Sequence, residues 1–297
     1  MSTSSKHVAR PSLACEIAAD RVLAGRGGSG RTVEVCAARE LAPGTVVPDL
    51  TETNLRNGSA LRDAIEGALG SVSGRSRDVI AVLPDTAVRV VLLDFETLPS
   101  KSEEAEAVVR FRLKKSLPFN PDDARVSYHA QMGGSGVRAV AAVVLNSVLQ
   151  EYESAFRDVG YSPGVVMPSM LAALGAADAE RPTLIVKVDA RTISIAILDQ
   201  EQLLLLRTLE NVRGVTITGE QLSEEVYPSV VFFQDTYSLN IERVYVAGLP
   251  ESGGAAPALK AQTGAHVEEL VASSQIGSTN GSVPRWRMAG VVGALIA

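Results

Sequence analysis

The sequence predicts an α/β protein made of two lobes, and three of its features indicate this. The chain has 297 residues, a length at which a single hydrophobic core stops growing and chains divide into two units. Three short β-branched or leucine-rich runs at 184–188, 192–198 and 202–209 alternate with polar breaks, which predicts a meander of three strands. Segments of helical periodicity follow this meander, as in an α/β fold.

Composition places the chain among ordinary soluble globular proteins, with 46% hydrophobic and 21% charged residues. Its formal net charge of −6 argues against non-specific binding of nucleic acid, which requires clustered lysine and arginine. The two cysteines, Cys15 and Cys36, are too few for a disulfide framework, and a reducing cytosol fits them best. Both flank apolar runs, so we interpret them as buried, inert thiols rather than as a redox pair.

Neither a secretion signal nor a membrane span is predicted. The first ten residues are polar, and no apolar run reaches the ~20 residues that a membrane span needs. The apolar segment 288–297 is shorter than that and predicts a buried terminal helix. Contact with a membrane is therefore expected only through a partner.

The N-terminal segment predicts a hairpin, with strands at 13–24 and 32–38 joined by the glycine-rich loop 25–30. This loop matches G-x-G-x-x-G in form. A dinucleotide site needs a helix after the loop, because the helix N-terminus holds the pyrophosphate, and here a second strand follows. We therefore interpret the loop as a hairpin tip. Ser59 is predicted to cap the helix that comes next.

The segment 78–160 predicts a compact α+β unit inserted into the first lobe. Its strands are expected at 78–83, 88–93, 127–132 and 137–145, with a helix after each pair. Ser100 and Glu103 have the spacing of a capping box for the first of these helices. Asn146 is expected to cap the second helix, and Gly160 to end it.

After the meander, a long helix is predicted at 220–237, and Pro228 is expected to kink it or to mark a late start. Only the short polar segment 211–219 separates this helix from the meander. A strand at 243–247 and a helix at 256–263 are predicted to follow.

Three local patterns occur in a fixed order along the chain. The first is Leu98-Pro99 with a charged helix, then Leu117-Pro118-Phe119-Asn120 and Ser127-Tyr128-His129. The second is Ala142-Val143-Val144-Leu145 with a helix that leads to Tyr161-Ser162-Pro163, and the third runs from Ser223-Glu224-Glu225 to Phe233-Gln234. In this order they resemble the type IV pilus assembly protein PilM and its actin-like relatives.

The resemblance implies a two-lobed actin-like, that is ribonuclease H-like, ATPase fold. Lobe 1 would span 1–175, with the α+β unit inserted at about 78–160, and lobe 2 would span 176–297. The last helix, at about 284–297, would pack back on lobe 1. The family inserts a further subdomain between the meander and the next helix, and the short segment 211–219 implies that this subdomain is reduced or absent here.

The resemblance also indicates where nucleotide-binding relatives hold phosphate, and this sequence departs from their pattern. Two Asp–apolar–Gly turns are matched by Glu16-Ile17-Ala18 and Lys187-Val188-Asp189, and a glycine pair on the adenosine side by Gly248-Leu249. Glycines let backbone amides approach a phosphate, whereas Ala18 and Asp189 restrict that approach. Lys187 cannot ligate Mg²⁺ as a carboxylate would. We therefore expect neither ATP nor Mg²⁺ as a cofactor, and no catalytic residue.

No other chemistry is distinguished by the sequence. His7, His129 and His266 lie far apart and not at the spacing of metal ligands, so no metal site is expected. The chain contains neither a Gly-x-Ser-x-Gly elbow nor a Cys-x-x-Cys pair, and no two carboxylates are marked as an acid–base couple.

The resemblance implies a cytoplasmic, non-catalytic adaptor in the assembly platform of a pilus or a related secretion system. Its partner would be the cytoplasmic N-terminal tail of a single-span inner-membrane protein, PilN in pili, bound as an extended peptide in a groove of the first lobe near the inserted unit. Pilus motor ATPases are a second partner that the resemblance implies, and the chain would lie at the inner membrane through its partner. Two alternatives stay open: an active actin-like ATPase or related kinase, and the cytosolic domain of a type II secretion platform protein.

Overall fold

Thirteen strands and seven helices make up the part of the chain that a computed structural model describes, namely residues 10–72, 74–133, 136–250, 254–277 and 283–297. The strands are β1 (Leu13–Ile17), β2 (Arg21–Gly27), β3 (Val33–Glu40), β4 (Asp78–Leu83), β5 (Arg89–Phe95), β6 (Ala124–Gly133), β7 (Gly136–Leu145), β8 (Ser162–Pro168), β9 (Thr183–Val188), β10 (Thr192–Asp199), β11 (Gln202–Glu210), β12 (Arg243–Ala247) and β13 (His266–Glu269). The helices are α1 (Gly58–Val72), α2 (Ser102–Leu113), α3 (Asn146–Asp158), α4 (Ser169–Leu174), α5 (Gly219–Tyr237), α6 (Ala255–Thr263) and α7 (Ala289–Ile296).

Two five-stranded sheets share one topology, and each forms the centre of a lobe. In the first sheet, β1, β2 and β3 form an antiparallel meander, and β4 and β8 add in parallel beside β1. In the second sheet, β9, β10 and β11 form the meander, and β12 and β13 add in parallel beside β9. The meander predicted at 184–209 is therefore confirmed. β1 and β9 are buried along their whole length, as expected of central strands with both faces covered.

The first predicted strand, 13–24, is in fact two strands. The chain turns after β1, where the Ala18 N–H donates to the Arg21 carbonyl (2.9 Å), and β2 then pairs back on β1. Ala18, Ala19 and Asp20 include no glycine or proline, so the sequence gives little sign of this turn. The predicted hairpin loop is also shorter than 25–30, because β2 continues to Gly27.

The third sheet, in the order β5-β7-β6, belongs to the inserted α+β unit, and α2 packs on it. This unit is narrower than the predicted 78–160. β4 pairs with β1 and β8 in the first sheet, and α3 packs against α1 and β8. The apolar runs of β4 and β5 resemble each other, and periodicity alone does not tell which sheet a strand joins.

Three predicted helix caps are wrong. Helix α1 begins at Gly58, and it is Asn57 rather than Ser59 whose side chain accepts from a backbone N–H, that of Ala60 (3.2 Å). Helix α2 begins after Lys101 without a side-chain cap, so Ser100 and Glu103 form no capping box. Asn146 is the first residue of α3 and does not cap it. Gly160, at φ +79°, follows the end of α3 as predicted.

Helix α5 has a capping box that the sequence reading missed. The Gln221 N–H donates to Thr218 Oγ1 (3.3 Å), and the Thr218 N–H donates to Gln221 Oε1 (3.1 Å). The helix runs through Pro228, so the late start predicted there is wrong.

Three short elements were not predicted: β8, α4 and β13. β8 contains Pro163, Gly164 and Pro168, which argue against a strand, but it lies at the edge of its sheet, where proline is tolerated. No helix in the described ranges is long and apolar enough to cross a bilayer.

Helix α7 packs on β1, β2 and α4 of the first lobe. Small residues permit the close approach: a Cβ at Gly293 would overlap the carbonyl oxygen of Ala172, and one at Gly25 would overlap Val291. A Cβ at Gly290 would meet the carboxylate of Glu16, 2.6 Å from Oε2, so α7 covers one side of that side chain.

Candidate functional site between the two lobes

The first turns of the two meanders face each other between the lobes. Glu16 and Ala18 of the first turn and Asp189 of the second line one small cavity, together with residues of the loop after β4 and with Ser169. The structure thus brings together three of the sequence-predicted site residues. Lys187 joins them through ion pairs, while Gly248 lies outside the cavity, against the backbone of Val188.

A buried group of charges connects the lobes across this cavity. Lys187 Nζ pairs with the carboxylate of Asp189 and lies 3.5 Å from Glu16 Oε1. The Arg21 guanidinium donates to Asp189 Oδ1 (3.0 Å) and to Asp20 Oδ1 (2.9 Å). Only 2–4% of the side-chain surface of Glu16, Arg21 and Lys187 is exposed. Asp189 therefore binds one cation from each lobe.

A second polar bridge lies beside the first. Ser194 Oγ, on β10, donates to Asp85 Oδ2 (2.6 Å), and the Met170 N–H donates to Asp85 Oδ1 (2.7 Å). Ser169 Oγ donates to Glu16 Oε1. The Ser194–Asp85 bond joins the two lobes, while the other two contacts hold Asp85 and Glu16 in place within the first lobe, and these groups are almost fully buried.

The charge states follow from burial and from these partners. Burial raises the pKa of Asp189, but Lys187 and Arg21 outweigh it and hold that pKa below its ordinary value. Burial opposes the charge of Lys187, yet the carboxylates of Asp189 and Glu16 raise its pKa above the ordinary one. For Glu16 and Asp85, burial is the dominant effect and raises the pKa of both. The charged forms of Lys187, Arg21 and Asp189 therefore stabilise one another.

The cavity between these side chains has a volume of about 20 Å³. A volume of roughly 10–15 Å³ holds one water molecule, and ligand pockets span roughly 300–1,000 Å³. Among the buried polar atoms described, Glu16 Oε2 and Arg21 Nε have no hydrogen-bond partner in the protein. This small cavity accommodates one water molecule beside Glu16.

Gly248 serves the packing of the second sheet. It has φ +84°, and a Cβ there would overlap the carbonyl oxygen of Val188. Its N–H donates to the Trp286 carbonyl (2.7 Å). Trp286 thus binds the backbone of the turn that the sequence assigned to the adenosine side.

The sequence reading missed Arg21, Asp85, Ser169 and Ser194. A charged residue inside an apolar run is a signal of a buried ionic site, and Arg21 shows it, whereas Lys187 was identified from the turn pattern. Asp85 follows a proline after β4 and looked like an ordinary turn residue.

The other candidate residues stay separate from this site. Cys15 and Cys36 are free and buried. Burial raises the pKa of Cys36 to about 12 and that of Cys15 further, which disfavours the reactive thiolate. Within the described ranges, no group of three or more His, Cys, Asp or Glu side chains is placed to hold a metal ion. His7 and the rest of the polar segment 1–9 lie outside the described residues.

A larger groove lies where the inserted unit meets both lobes. It has a volume of about 370 Å³ and lies between the β6–β7 hairpin, α4 and the β10–β11 hairpin. Apolar side chains line most of it: Val140, Leu171, Leu174, Ala177, Leu198 and Leu203. Arg31, His129 and Glu201 add polar groups. We call this cavity the tail groove, after the peptide tail that the resemblance implies near the inserted unit.

Comparison with known proteins identifies the fold. No protein-family model matches the sequence, and no curated protein matches it either. Among solved structures, a PilM–PilN type IV pilus biogenesis complex aligns with a TM-score of 0.76 at 19% identity, over 96% of each chain. The cytoplasmic domain of EpsL, an inner membrane component of the type II secretion system of Vibrio cholerae, aligns with a TM-score of 0.56 at 11% identity, over 96% of this chain and 94% of that one.

The ethanolamine utilization protein EutJ from Carboxydothermus hydrogenoformans aligns with a TM-score of 0.52 at 8% identity, over 98% of this chain and 91% of that one. These likenesses confirm the predicted two-lobed actin-like ATPase fold. The second lobe has only the short connection 211–218 between β11 and α5, as the sequence predicted for a reduced subdomain.

Proposed function

We propose that this chain is a non-catalytic adaptor of a type IV pilus or related secretion platform, tied together by side chains where its relatives hold a nucleotide. The observation that carries this proposal is the position of Lys187, whose ammonium group lies between Glu16 and Asp189 at the junction of the two lobes. The chain would act in the cytoplasm, held at the inner membrane by its partner.

The geometry disfavours ATP for three reasons. Lys187 engages the carboxylate oxygens that would otherwise ligate Mg²⁺. The cavity that Glu16 and Asp189 line has a volume of about 20 Å³, which holds one water molecule rather than a triphosphate. Ala18 and Asp189 stand where phosphate-binding turns use glycine, so backbone amides cannot approach a phosphate closely.

The proposed ligand is the cytoplasmic N-terminal tail of a PilN-like membrane protein, bound in the tail groove. This groove lies beside the inserted unit, is lined mostly by apolar side chains, and is bordered by β6, whose outer edge has no strand partner among the described residues. An extended peptide would gain backbone hydrogen bonds from such an edge and place alternate side chains in the groove. The name of the most similar complex reported above supports this partner.

Isothermal titration calorimetry tests both parts of the proposal. We expect no heat of binding with ATP and Mg²⁺ at millimolar concentration, and binding of a synthetic peptide that carries the N-terminal tail of a PilN-like protein from the same genome. Ala177→Arg, which places a charge in the tail groove, should weaken peptide binding at least tenfold. Val212→Arg, at a position that is 81% exposed and outside the groove, is the matched control.

Two outcomes would contradict the proposal. ATP binding that is lost in Lys187→Ala would indicate an active nucleotide site. A tail peptide that fails to bind at high micromolar concentration would argue against the partner.

The similarity to the EpsL domain favours a second assignment, the cytosolic part of a type II secretion platform protein. A peptide from the corresponding secretion system would then bind instead. Pilus motor ATPases are a further partner that we propose on the same basis.

A further inference from the structure

A second cavity, separate from the tail groove, lies between the inserted unit and the end of α5. Its volume is about 630 Å³, and it is formed by the ends of β5 and β7, the β10–β11 hairpin and the residues around Tyr237. Apolar side chains form much of its wall: Phe95, Val137, Leu204 and Leu239. Leu239 is 38% exposed, which is high for a leucine. We call this cavity the acidic groove, for the reason that follows.

Carboxylates outnumber cations in its lining. Asp94, Glu96 and Asp199 line it, and Arg138 is the basic residue there. Arg138 Nε lies 2.6 Å from Asp94 Oδ1, so these two charges neutralise each other. Glu96 and Asp199 form no ion pair within the described part of the chain. The groove therefore combines an apolar wall with two uncompensated negative charges.

The walls of the acidic groove are held in place by hydrogen bonds. Arg138 donates to the Tyr237 hydroxyl (2.9 Å), which in turn donates to the Leu204 carbonyl (3.3 Å). Gln202 Nε2 donates to the Met132 carbonyl (2.6 Å), which ties the β10–β11 hairpin to β6. These contacts link all three elements that form the cavity, so it is preformed, as ligand sites usually are.

The two grooves share the β10–β11 hairpin. Leu198, Glu201 and Leu203 face the tail groove, whereas Asp199, Gln202 and Leu204 face the acidic groove. This division follows from the alternation of side chains along a strand. Gln131 closes the gap between the grooves, since its side-chain amide donates to the Leu203 carbonyl (3.2 Å) and accepts from the Leu203 N–H (3.0 Å).

We propose that the acidic groove binds a segment with alternating apolar and basic side chains, next to the segment in the tail groove. The apolar wall fits aliphatic side chains, and Glu96 and Asp199 fit Lys or Arg. An acidic segment would be repelled by the same two carboxylates. The formal net charge of −6 also attracts a basic partner over longer distances.

The inference rests on the proposed function for the identity of the partner. Cytoplasmic segments next to a membrane span carry an excess of Lys and Arg. The part of a membrane protein's tail nearest the bilayer therefore has the chemistry that this groove selects, while the more apolar end of the tail occupies the tail groove.

The first test uses two probe peptides of about ten residues, one with alternating Leu and Arg and one with alternating Leu and Glu. We expect the Arg peptide to bind and the Glu peptide not to bind. The double variant Glu96→Gln/Asp199→Asn should weaken the Arg peptide about tenfold, because it removes both carboxylates that would pair with arginine. The double variant Glu66→Gln/Asp63→Asn on α1 makes the same change in net charge away from the groove and should leave the affinity within about twofold.

Equal binding of the two peptides, equal loss in both double variants, or no binding of the Arg peptide would overturn the proposal.

A second measurement separates the proposal for the acidic groove from the proposed function. The PilN-like tail is compared with and without its membrane-proximal basic residues. If the apolar part binds and the basic residues add nothing, the acidic groove is refuted and the adaptor function stands. If the PilN-like tail does not bind while the Arg peptide binds at Glu96 and Asp199, the proposed ligand chemistry of the acidic groove is supported and the proposed partner is wrong. Circular dichroism confirms that each variant is folded.

Discussion

Lys187 Nζ lies 3.5 Å from Glu16 Oε1, and this ion pair joins the central strand of one lobe to the central strand of the other. Both residues are buried, so their charges depend on each other and on Asp189 rather than on water. Buried ion pairs are a weak source of net stability, but removing one partner leaves an uncompensated charge that is costly. We therefore expect a substitution of one charged residue at this junction to lower stability strongly, and a joint substitution of the charged partners to lower it much less.

The first prediction concerns Lys187→Met. It should lower the free energy of unfolding by about 3–5 kcal/mol, because Asp189 and Glu16 then lose their shared cation inside the protein. Urea denaturation followed by circular dichroism measures the change.

A variant in which the pairing partners are neutralised together distinguishes the cost of an unpaired buried charge from the cost of lost packing. The triple change Glu16→Gln/Lys187→Met/Asp189→Asn removes Lys187 together with both carboxylates that it pairs with, leaves Arg21 paired with Asp20, and should recover a large part of the loss. Lys101→Met, which breaks the exposed pair with Glu104 on α2, should change stability by less than about 0.5 kcal/mol. A triple variant no more stable than Lys187→Met would contradict this account.

The second prediction concerns acid unfolding. The pKa of Asp189 in the folded protein lies below its ordinary value of 3.8, because Lys187 and Arg21 outweigh the effect of burial. A carboxylate of this kind contributes stability that is present above its unfolded pKa and lost as the pH falls through its folded pKa. Asp189→Asn should therefore be less stable than the natural chain at neutral pH, and the difference should shrink as the pH falls below about 4. Urea unfolding across the acidic range up to neutral pH measures this, and a difference that stays constant would refute it.

The fold was predictable where the chain repeats short apolar runs. β9, β10 and β11 follow from β-branched and leucine-rich segments between polar breaks, and the structure has them within one residue of the predicted positions. The sheet to which a strand belongs was not predictable in this way, because β4 and β5 have similar patterns and pair in different sheets. Pairing depends on contacts that are distant in sequence, and a local pattern does not contain them.

The candidate site was predictable only in part, for the same reason. Glu16 and Lys187 were found by comparison with a turn pattern, but Arg21, Asp85 and Ser194 come from segments whose local sequence gives no sign of a shared site. Burial of Arg21 becomes evident only when the two meanders face each other. The predicted helix caps were wrong for a different reason. Ser100 and Asn146 are residue types that often cap helices, but Lys101 holds the N-cap position of α2 and Asn146 is already the first residue of α3.

The third prediction concerns the capping box at the start of α5. Thr218→Ala should destabilise the protein by about 1 kcal/mol, since it removes the acceptor for the Gln221 N–H at the start of α5. Ser100→Ala should change stability by less than about 0.5 kcal/mol, because Ser100 caps no helix. Thermal and urea unfolding of both variants test this, and a larger loss in Ser100→Ala would show that α2 is capped after all.

The fourth prediction concerns Gly248, which has φ +84° and lies against the carbonyl oxygen of Val188. Gly248→Ala should destabilise the protein by about 3 kcal/mol or more, because a Cβ there adds an overlap with the backbone to the strain of a positive φ. Gly44→Ala is the matched control. Gly44 has φ +81°, and a Cβ added there would have no atom within 4 Å, so only the backbone strain of about 1 kcal/mol applies.

The same variant should also disturb the junction between the lobes. Val188 lies between Lys187 and Asp189, so displacing its carbonyl moves both partners of the buried ion pair. Hydrogen exchange of the backbone amides near Asp189 should therefore increase in Gly248→Ala and stay unchanged in Gly44→Ala. Equal stability losses in the two variants would mean that the backbone of β9 moves away at Val188 at little cost. Gly248 would then be required only for its positive φ.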